Sequence, residues 1–303
     1  MASEIPANEK AFAIALAQAT QFRSDLIIFH VSDTLGTGAS ECSGVRRRDS
    51  AAARAAKDRF QSLAERARNL GIHCRVTVRQ GLAAEQILTF LREREIDRVV
   101  MGTHSPGPVG RLLVGSVAEA VLRIANAPVC IVGPNVVEGT YRHSATRTIL
   151  CDVSAQGGRR AVASFGAELA ARHNASLILQ HVIRPQERNE ILADRTTEQI
   201  EAELPLLVPA GLKHNVSVRT KVTIGDPTEE LLYGGRSQQA NLIVLGAQGT
   251  SHFAAITHAS IVHKVLAYAH CPVITLSPVV LAECGASEEH SSPSEVNYIA
   301  GVI

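Results

Sequence analysis

The stretch Val222–Gly249, "VTIGDPTEELLYGGRSQQANLIVLGAQG", lies without a gap over Val78–Ser105, "VRQGLAAEQILTFLREREIDRVVMGTHS". Gly81, Ile96–Val100, Gly102 and Pro128 recur at Gly225, Ala240–Val244, Gly246 and Pro272, at a constant offset of 144 residues. Further upstream, "DLIIFHVS" (25–32) lies over "SLILQHVI" (176–183), with His30 over His181 at an offset of 151, so the first copy is seven residues longer between these strands. Solenoid repeats run about 20–50 residues, so a period this long marks two complete folding units. A chain of 303 residues agrees with two domains.

Working outward within the second copy, "TILCDV" (148–153) is a short apolar run, residues 159–172 have helical spacing, and "SLILQHVI" is apolar and β-rich. A helix is expected around 188–205, a strand at 216–224, a helix from Pro227, a strand at 241–246, a helix from about 260 and a strand at 272–276. Strands without polar alternation, separated by helices, predict a parallel sheet covered on both faces. Ligands in such sheets sit beyond the carboxyl ends of the strands.

The 30 basic and 29 acidic residues nearly cancel, which argues against nucleic acid or an anionic membrane surface as partner. Apolar residues make up 46% of the chain, with no Trp, a composition suited to helices packed on parallel strands. No apolar run reaches the ~18 residues of a spanning helix, and the N-terminus lacks a signal-peptide pattern. The six cysteines include no CxxC pair, and several lie inside apolar runs, as expected of buried reduced thiols in a cytoplasmic protein.

In "MGTHSPGPVGRLLVGSVAEAVLR" (101–123), a buried strand is followed by glycine-dense chain and then by a helix opening near Gly115-Ser116. A helix N-terminus offers unpaired N–H groups and partial positive charge, and glycine lets backbone approach an anion closely, so phosphate is the expected guest. The plain alternative is a tight turn at Gly115 with Ser116 as N-cap.

Gly102, two residues, Ser105, nine residues and Gly115-Ser116 resemble the Gly-x-x-Gly, nine residues, Gly-Ser/Thr motif of the universal stress protein family. The resemblance extends through "GTHS", "RLLVGSVAEAVLR" and "APVCIV" and, by the repeat, over nearly all of residues 1–277. It implies an α/β chain of two tandem Rossmann-like domains of the adenine nucleotide alpha hydrolase-like kind, each a five-stranded parallel sheet with helices on both faces. Domain 1 is expected over 1–135, a linker over 136–146, domain 2 over 147–279 and a tail over 280–303.

One subset of the family binds ATP, with Mg as a possible companion: the loop glycines and Gly-Ser hold phosphates and ribose, an Asp ending the first strand reaches the adenosine, and the second strand's end meets adenine. Carried over, this implies Val31, Met101, Gly102, Ser105, Gly115, Ser116 and Val117 in domain 1, and Asp152, Val182, Gly246, Gly249 and Ser260 in domain 2. Neither set is complete. Ser105 stands where the second glycine belongs and is followed by Pro106 and Pro108, and Ala259 replaces the glycine before Ser260.

A larger gap lies at the N-terminus. Asp152 in "CDVS" corresponds to residue 1 or 2, so the first copy begins where its first strand should end, without that strand or its Asp. In the sheet order the resemblance implies, the missing strand is central, and its absence would leave two neighbours with unpaired backbone. The foremost expectations are a true start upstream of Met1 and a disordered tail; the alternative is that "EVNYIAGVI" (295–303), beyond a Ser/Glu-rich tether, fills the slot.

His252, His258, His263 and His270, near Cys271, form no recognised ligand spacing, and no metal is assigned. His104 beside Ser105 has no third orienting residue, so no catalytic residues are assigned and the chain is not read as an enzyme, with slow ATP hydrolysis left open. Two functions compete: an adenine-nucleotide-binding stress-response module read by unknown protein partners, and a nucleotide-free tandem scaffold or binder of another small ligand. The two domains are expected to pack as an intramolecular pseudo-dimer, and a further homodimer through the exposed edges stays open.

Overall fold

Ten strands form in the computed structural model, which describes residues 7–32, 58–103, 115–137, 140, 147–154, 158–246, 261–286 and 298–301. They are β1 Leu26–Ser32, β2 Cys74–Gln80, β3 Arg98–Gly102, β4 Val129–Val132, β5 Thr148–Asp152, β6 Ser176–Ile183, β7 Ser217–Ile224, β8 Leu242–Gly246, β9 Val273–Leu276 and β10 Tyr298–Gly301. The helices are α1 Ala7–Phe22, α2 over 58–69, α3 Ala83–Glu93, α4 Ser116–Ile124, α5 Arg159–His173, α6 Arg188–Ile191, α7 Thr197–Glu203, α8 Pro227–Ser237, α9 over 261–268 and α10 Pro278–Ala286. Every residue of β3, β4 and β9 is buried, which is why these strands read as mainly apolar runs, with Arg98 and Thr275 as their buried polar members.

The two expected five-stranded sheets are one. The strand order is β2-β1-β10-β3-β4-β9-β8-β5-β6-β7, parallel within each half and antiparallel where β4 meets β9. At that seam Cys130 pairs with Ile274, while Val129 pairs with Thr275 and Ile131 with Val273. Because Cys130 and Ile274 are repeat equivalents, the pairing is self-complementary, and the pseudo-two-fold axis passes through it.

The tail corrects a foremost expectation. Residues 298–301 are neither structureless nor separate: β10 lies between β1 and β3, parallel to both. Tyr298 pairs with Leu26 and Arg98, and Gly301 with Phe29 and Met101. In the second half, Ile149 pairs with Leu177 and Leu242, the equivalents of Leu26 and Arg98. Both neighbours therefore set Tyr298 at the place of Ile149 and Gly301 at the place of Asp152. The slot is filled in the register of β5, from the opposite end of the chain.

One apolar core covers each face of the sheet. The first holds Phe12, Phe60, Ile28, Cys151, Val162 and Val280 under α1, α2, α5 and α10; the second holds Phe29, Phe90, Met101, Val121, Leu231 and Val265 under α3, α4, α8 and α9. Both continue across the seam. On the first face, Phe22 at the end of α1 meets its repeat equivalent His173 at the end of α5, edge to face, with centroids 4.9 Å apart. His173 is buried, neither ring nitrogen has a hydrogen bond among the described residues, and burial followed by the nearby Arg98 cation pushes its pKa down to about 4.

Local chemistry explains the other breaks. The helix expected around 188–205 is interrupted: α6 stops at Ile191, Thr196 opens α7 with a capping box to Gln199, and Pro205 lies in a 3₁₀ turn, Leu204–Leu207. Asp226 caps α8 through Oδ1, accepting from the N–H groups of Thr228 at 2.9 Å and Glu229 at 3.1 Å, with Pro227 as first helical residue. Cys74, Cys130, Cys151 and Cys271 are buried free thiols and Cys284 is half-buried; Cys42 lies outside the described residues.

Candidate functional site

Beyond the carboxyl ends of β5 and β6 opens a cavity of ≈ 520 Å³. Asp152 and Val182 are both in its wall, brought together because their strands are adjacent. Asp152 Oδ1 accepts the Ser154 N–H at 2.9 Å, and Oδ2 has no hydrogen-bond partner among the described residues. Ser154 Oγ accepts the Val182 N–H at 2.8 Å, closing a bridge across the two strand ends. Behind it His181 Nδ1 donates to the Val153 carbonyl at 3.3 Å. Burial holds the His181 pKa below the usual histidine range, against the opposing pull of that bond and of Asp152, so the ring is neutral at pH 7.

Cations and carboxylates share the rim. Arg184 lies 3.6 Å from Glu187, and Arg195 lies 2.6 Å from Glu203. Arg159, the first residue of α5, lines the cavity half-buried, with no ion pair among the described residues. A second cavity of ≈ 370 Å³ adjoins it, sharing Arg184, Pro227 and Ile261 and bringing in Lys264. Sequence reasoning missed Ser154, Arg159 and Arg184; Ser154 was within reach two positions after Asp152, whereas nothing local marks an arginine as cavity-facing.

Gly246 ends β8, where an added Cβ would lie 3.1 Å from Val162 Cγ2, so glycine there serves packing with α5. In the first half, Met101 is buried and Gly102 ends β3, with Thr103 donating its N–H to the Val132 carbonyl at 3.1 Å. Gly115, not Ser116, is the N-cap of α4: its φ of +83° is in the region that favours glycine, and no side chain caps the helix. Ser116 is the exposed first helical residue, followed by half-buried Val117, and Val31 is half-buried near the end of β1. Ser105, Gly249, Ala259 and Ser260 lie outside the described residues.

The absence of an Asp in the first half persists although the strand is present, because Gly301 holds the position of Asp152. The two halves are therefore unequal at this position: the second brings Asp152, the first Gly301. Among the described residues no three His, Cys, Asp or Glu side chains gather as a metal site, and no helix is long and apolar enough to cross a membrane.

Two Rossmann-like halves joined in one sheet, with a cavity beyond the carboxyl ends of the strands, define a tandem α/β protein. The universal stress protein family matches residues 3–133 and again 145–277, and this chain belongs to it. A universal stress protein of Mycolicibacterium smegmatis is 24% identical over 213 residues, covering 69% of this chain and 70% of the relative. One of Mycobacterium tuberculosis is 27% identical over 186 residues, covering 59% of this chain and 61% of the relative. Among solved structures, a universal stress protein from Archaeoglobus fulgidus superimposes with a TM-score of 0.67 at 17% identity, over 89% of this chain and 92% of that one. That likeness concerns the fold.

Proposed function

We propose that this chain is an adenine-nucleotide-binding stress-response module whose principal site is the cavity at Asp152 and Val182, and that it acts through protein contacts dependent on the bound ligand. The observation that carries the reading is the joint presence, in one ≈ 520 Å³ cavity, of the Asp152 carboxylate and the Arg159 guanidinium, the one with an oxygen and the other with a charge that no partner among the described residues takes up. The volume lies within the ~300–1,000 Å³ usual for ligand pockets. Asp152 Oδ2 is suited to accept from a ribose hydroxyl or an amino group, and Arg159 to face an anionic phosphate. ATP, with or without Mg, is the nucleotide the family motif favours. The role we propose is binding: the two groups of the cavity wall best placed to act as nucleophile and base, Ser154 and His181, are engaged with the Val182 N–H and the Val153 carbonyl rather than with each other.

One observation favours the second reading, a scaffold or a binder of another small ligand. The Val182 N–H, which an adenine edge would meet, is already held by Ser154 Oγ, so adenine must displace that hydroxyl. Titration calorimetry of the full chain with Mg-ATP separates the readings. Binding lost in Asp152→Ala and kept in Gly115→Trp places the working site in the second half; the reverse places it in the first. No heat from either the parent chain or the variants, all folded, supports the nucleotide-free scaffold.

A further inference from the structure

The turn that leaves β6 serves both cavities. Its Glu187 N–H donates to the Arg184 carbonyl at 3.0 Å, setting Arg184 in the shared wall while Pro185 and Gln186 line the second cavity alone. The Gly225 N–H donates to the Ile183 carbonyl at 3.0 Å and fastens the end of β7 to the end of β6. Two strand ends and the first turns of α8 and α9 thus wall the ≈ 370 Å³ space, with Pro185, Pro227 and Ile261 as apolar sides and Gln186, Thr228 and Lys264 as polar ones. Each cavity alone falls within the ~300–1,000 Å³ of a small-ligand pocket. A single nucleotide at Asp152 and Val182 therefore leaves the second one unfilled. Charge distinguishes them further. In the first, Arg159, Arg184 and Arg195 are balanced by Asp152, Glu187 and Glu190. In the second, Arg184 and Lys264 face Asp226 alone, whose Oδ1 is taken by the N–H groups of Thr228 and Glu229. Lys264 is exposed and has no ion pair among the described residues. An anionic chain leaving the first cavity meets Arg184 at the shared wall and Lys264 beyond it.

We infer that the two cavities form one bipartite site for a dinucleoside polyphosphate, two nucleosides joined by a chain of phosphates. The inference rests on the nucleotide reading above and extends it. One nucleoside sits at Asp152 and Val182, the phosphates cross the shared wall at Arg184, and the second nucleoside enters between Pro185, Pro227 and Ile261. There Gln186 supplies an amide that both donates and accepts, the combination a base edge requires. Arg184 is 3.6 Å from Glu187, beyond hydrogen-bond length, so its guanidinium is available to a phosphate. Tethering makes the second nucleoside's binding intramolecular, which raises affinity while the first contact stays as it is.

Titration calorimetry of the full chain compares ATP with diadenosine tetraphosphate, each with and without Mg. The expected result is dinucleotide binding at least ~tenfold tighter than ATP, with both lost in Asp152→Ala. Gln186 and Lys264 are exposed in the folded chain, so their variants fold as the parent does. Gln186→Trp puts an indole into the second cavity and lowers dinucleotide affinity to that of ATP, leaving ATP unchanged; Lys264→Gln weakens the dinucleotide more than ATP. A dinucleotide no tighter than ATP overturns the inference, while Asp152-dependent binding of ATP keeps the nucleotide reading standing. So does a Gln186→Trp chain, folded by circular dichroism, that binds the dinucleotide as the parent does, or dinucleotide binding unchanged by Asp152→Ala. No heat from either nucleotide removes both readings.

Discussion

His173 supplies a pH dependence that can be worked from its surroundings. Its folded pKa of about 4 lies below the unfolded value of about 6.5 because the ring is buried without a hydrogen bond and faces the Arg98 cation. A base with a depressed folded pKa contributes its stability in full above the unfolded pKa. That contribution is lost as pH falls from about 6.5 towards 4, since the unfolded chain takes up the proton first. Integrating the linkage gives a loss of about 2 kcal/mol at pH 5 and about 3 kcal/mol at pH 4. His173→Phe, which copies its partner Phe22, removes this term together with two unsatisfied nitrogens. Urea unfolding of both proteins at pH 7 and pH 5 is the assay. The parent chain should lose about 2 kcal/mol more between these pH values than the variant. His181 and His270 are depressed in the same direction and remain in both proteins, so they cancel in the difference. Equal losses in the two proteins would refute the reasoning.

Three further outcomes are expected. At Gly234 an added Cβ would lie 2.1 Å from Gln180 Oε1, so Gly234→Ala should cost about 1–3 kcal/mol, net of the helix preference for Ala, and much less in a Gln180→Ala background. A double-mutant cycle in urea measures that coupling, and additivity would contradict it. Gly115→Ala, at a φ of +83°, should lower stability by about 1 kcal/mol although its Cβ meets open space, as thermal unfolding would show. Deleting residues 294–303 removes a central strand and should lower the stability of the first half by several kcal/mol at ~1 kcal/mol per net hydrogen bond; an unchanged urea midpoint would be inconsistent with a seated tail.

Much of the fold was legible because the repeat tied each strand to a second reading of itself: "SLILQHVI" becomes β6 over the same eight residues. The partner of a strand is another matter. "YIAG" holds only two β-prone residues, Tyr298 and Ile299, and parallel pairing leaves no local periodicity that says which edges a strand will join. Its place became clear only when the pairs to β1 and β3 agreed. The same register shows that Gly301 stands for Asp152, a comparison no alignment of the repeat at fixed offset contains. Core exchange was equally hidden. Phe29 stacks on Phe90 at 4.5 Å in the first half, and their equivalents Gln180 and Gly234 fit together in the second, a bulky pair replaced by a polar side chain and the space for it. Of the site, Asp152 and Val182 were within reach from motif position, while the arginines became evident only once the cavity was assembled.

The seating of β10 also inverts the order in which the molecule can be finished as it is made. Leu26 is synthesised near the beginning and its partner Tyr298 about 270 residues later. At ~5–20 residues per second, the N-terminal half, made once β4 is complete, waits roughly 8–33 s for its central strand, while the C-terminal half, whose strands are contiguous from β5 to β9, is complete before it. In most two-domain chains the first half made is the first half folded. Here it closes last, and until then the nascent chain carries an open strand gap of the kind that folding factors bind and that neighbouring nascent chains can enter.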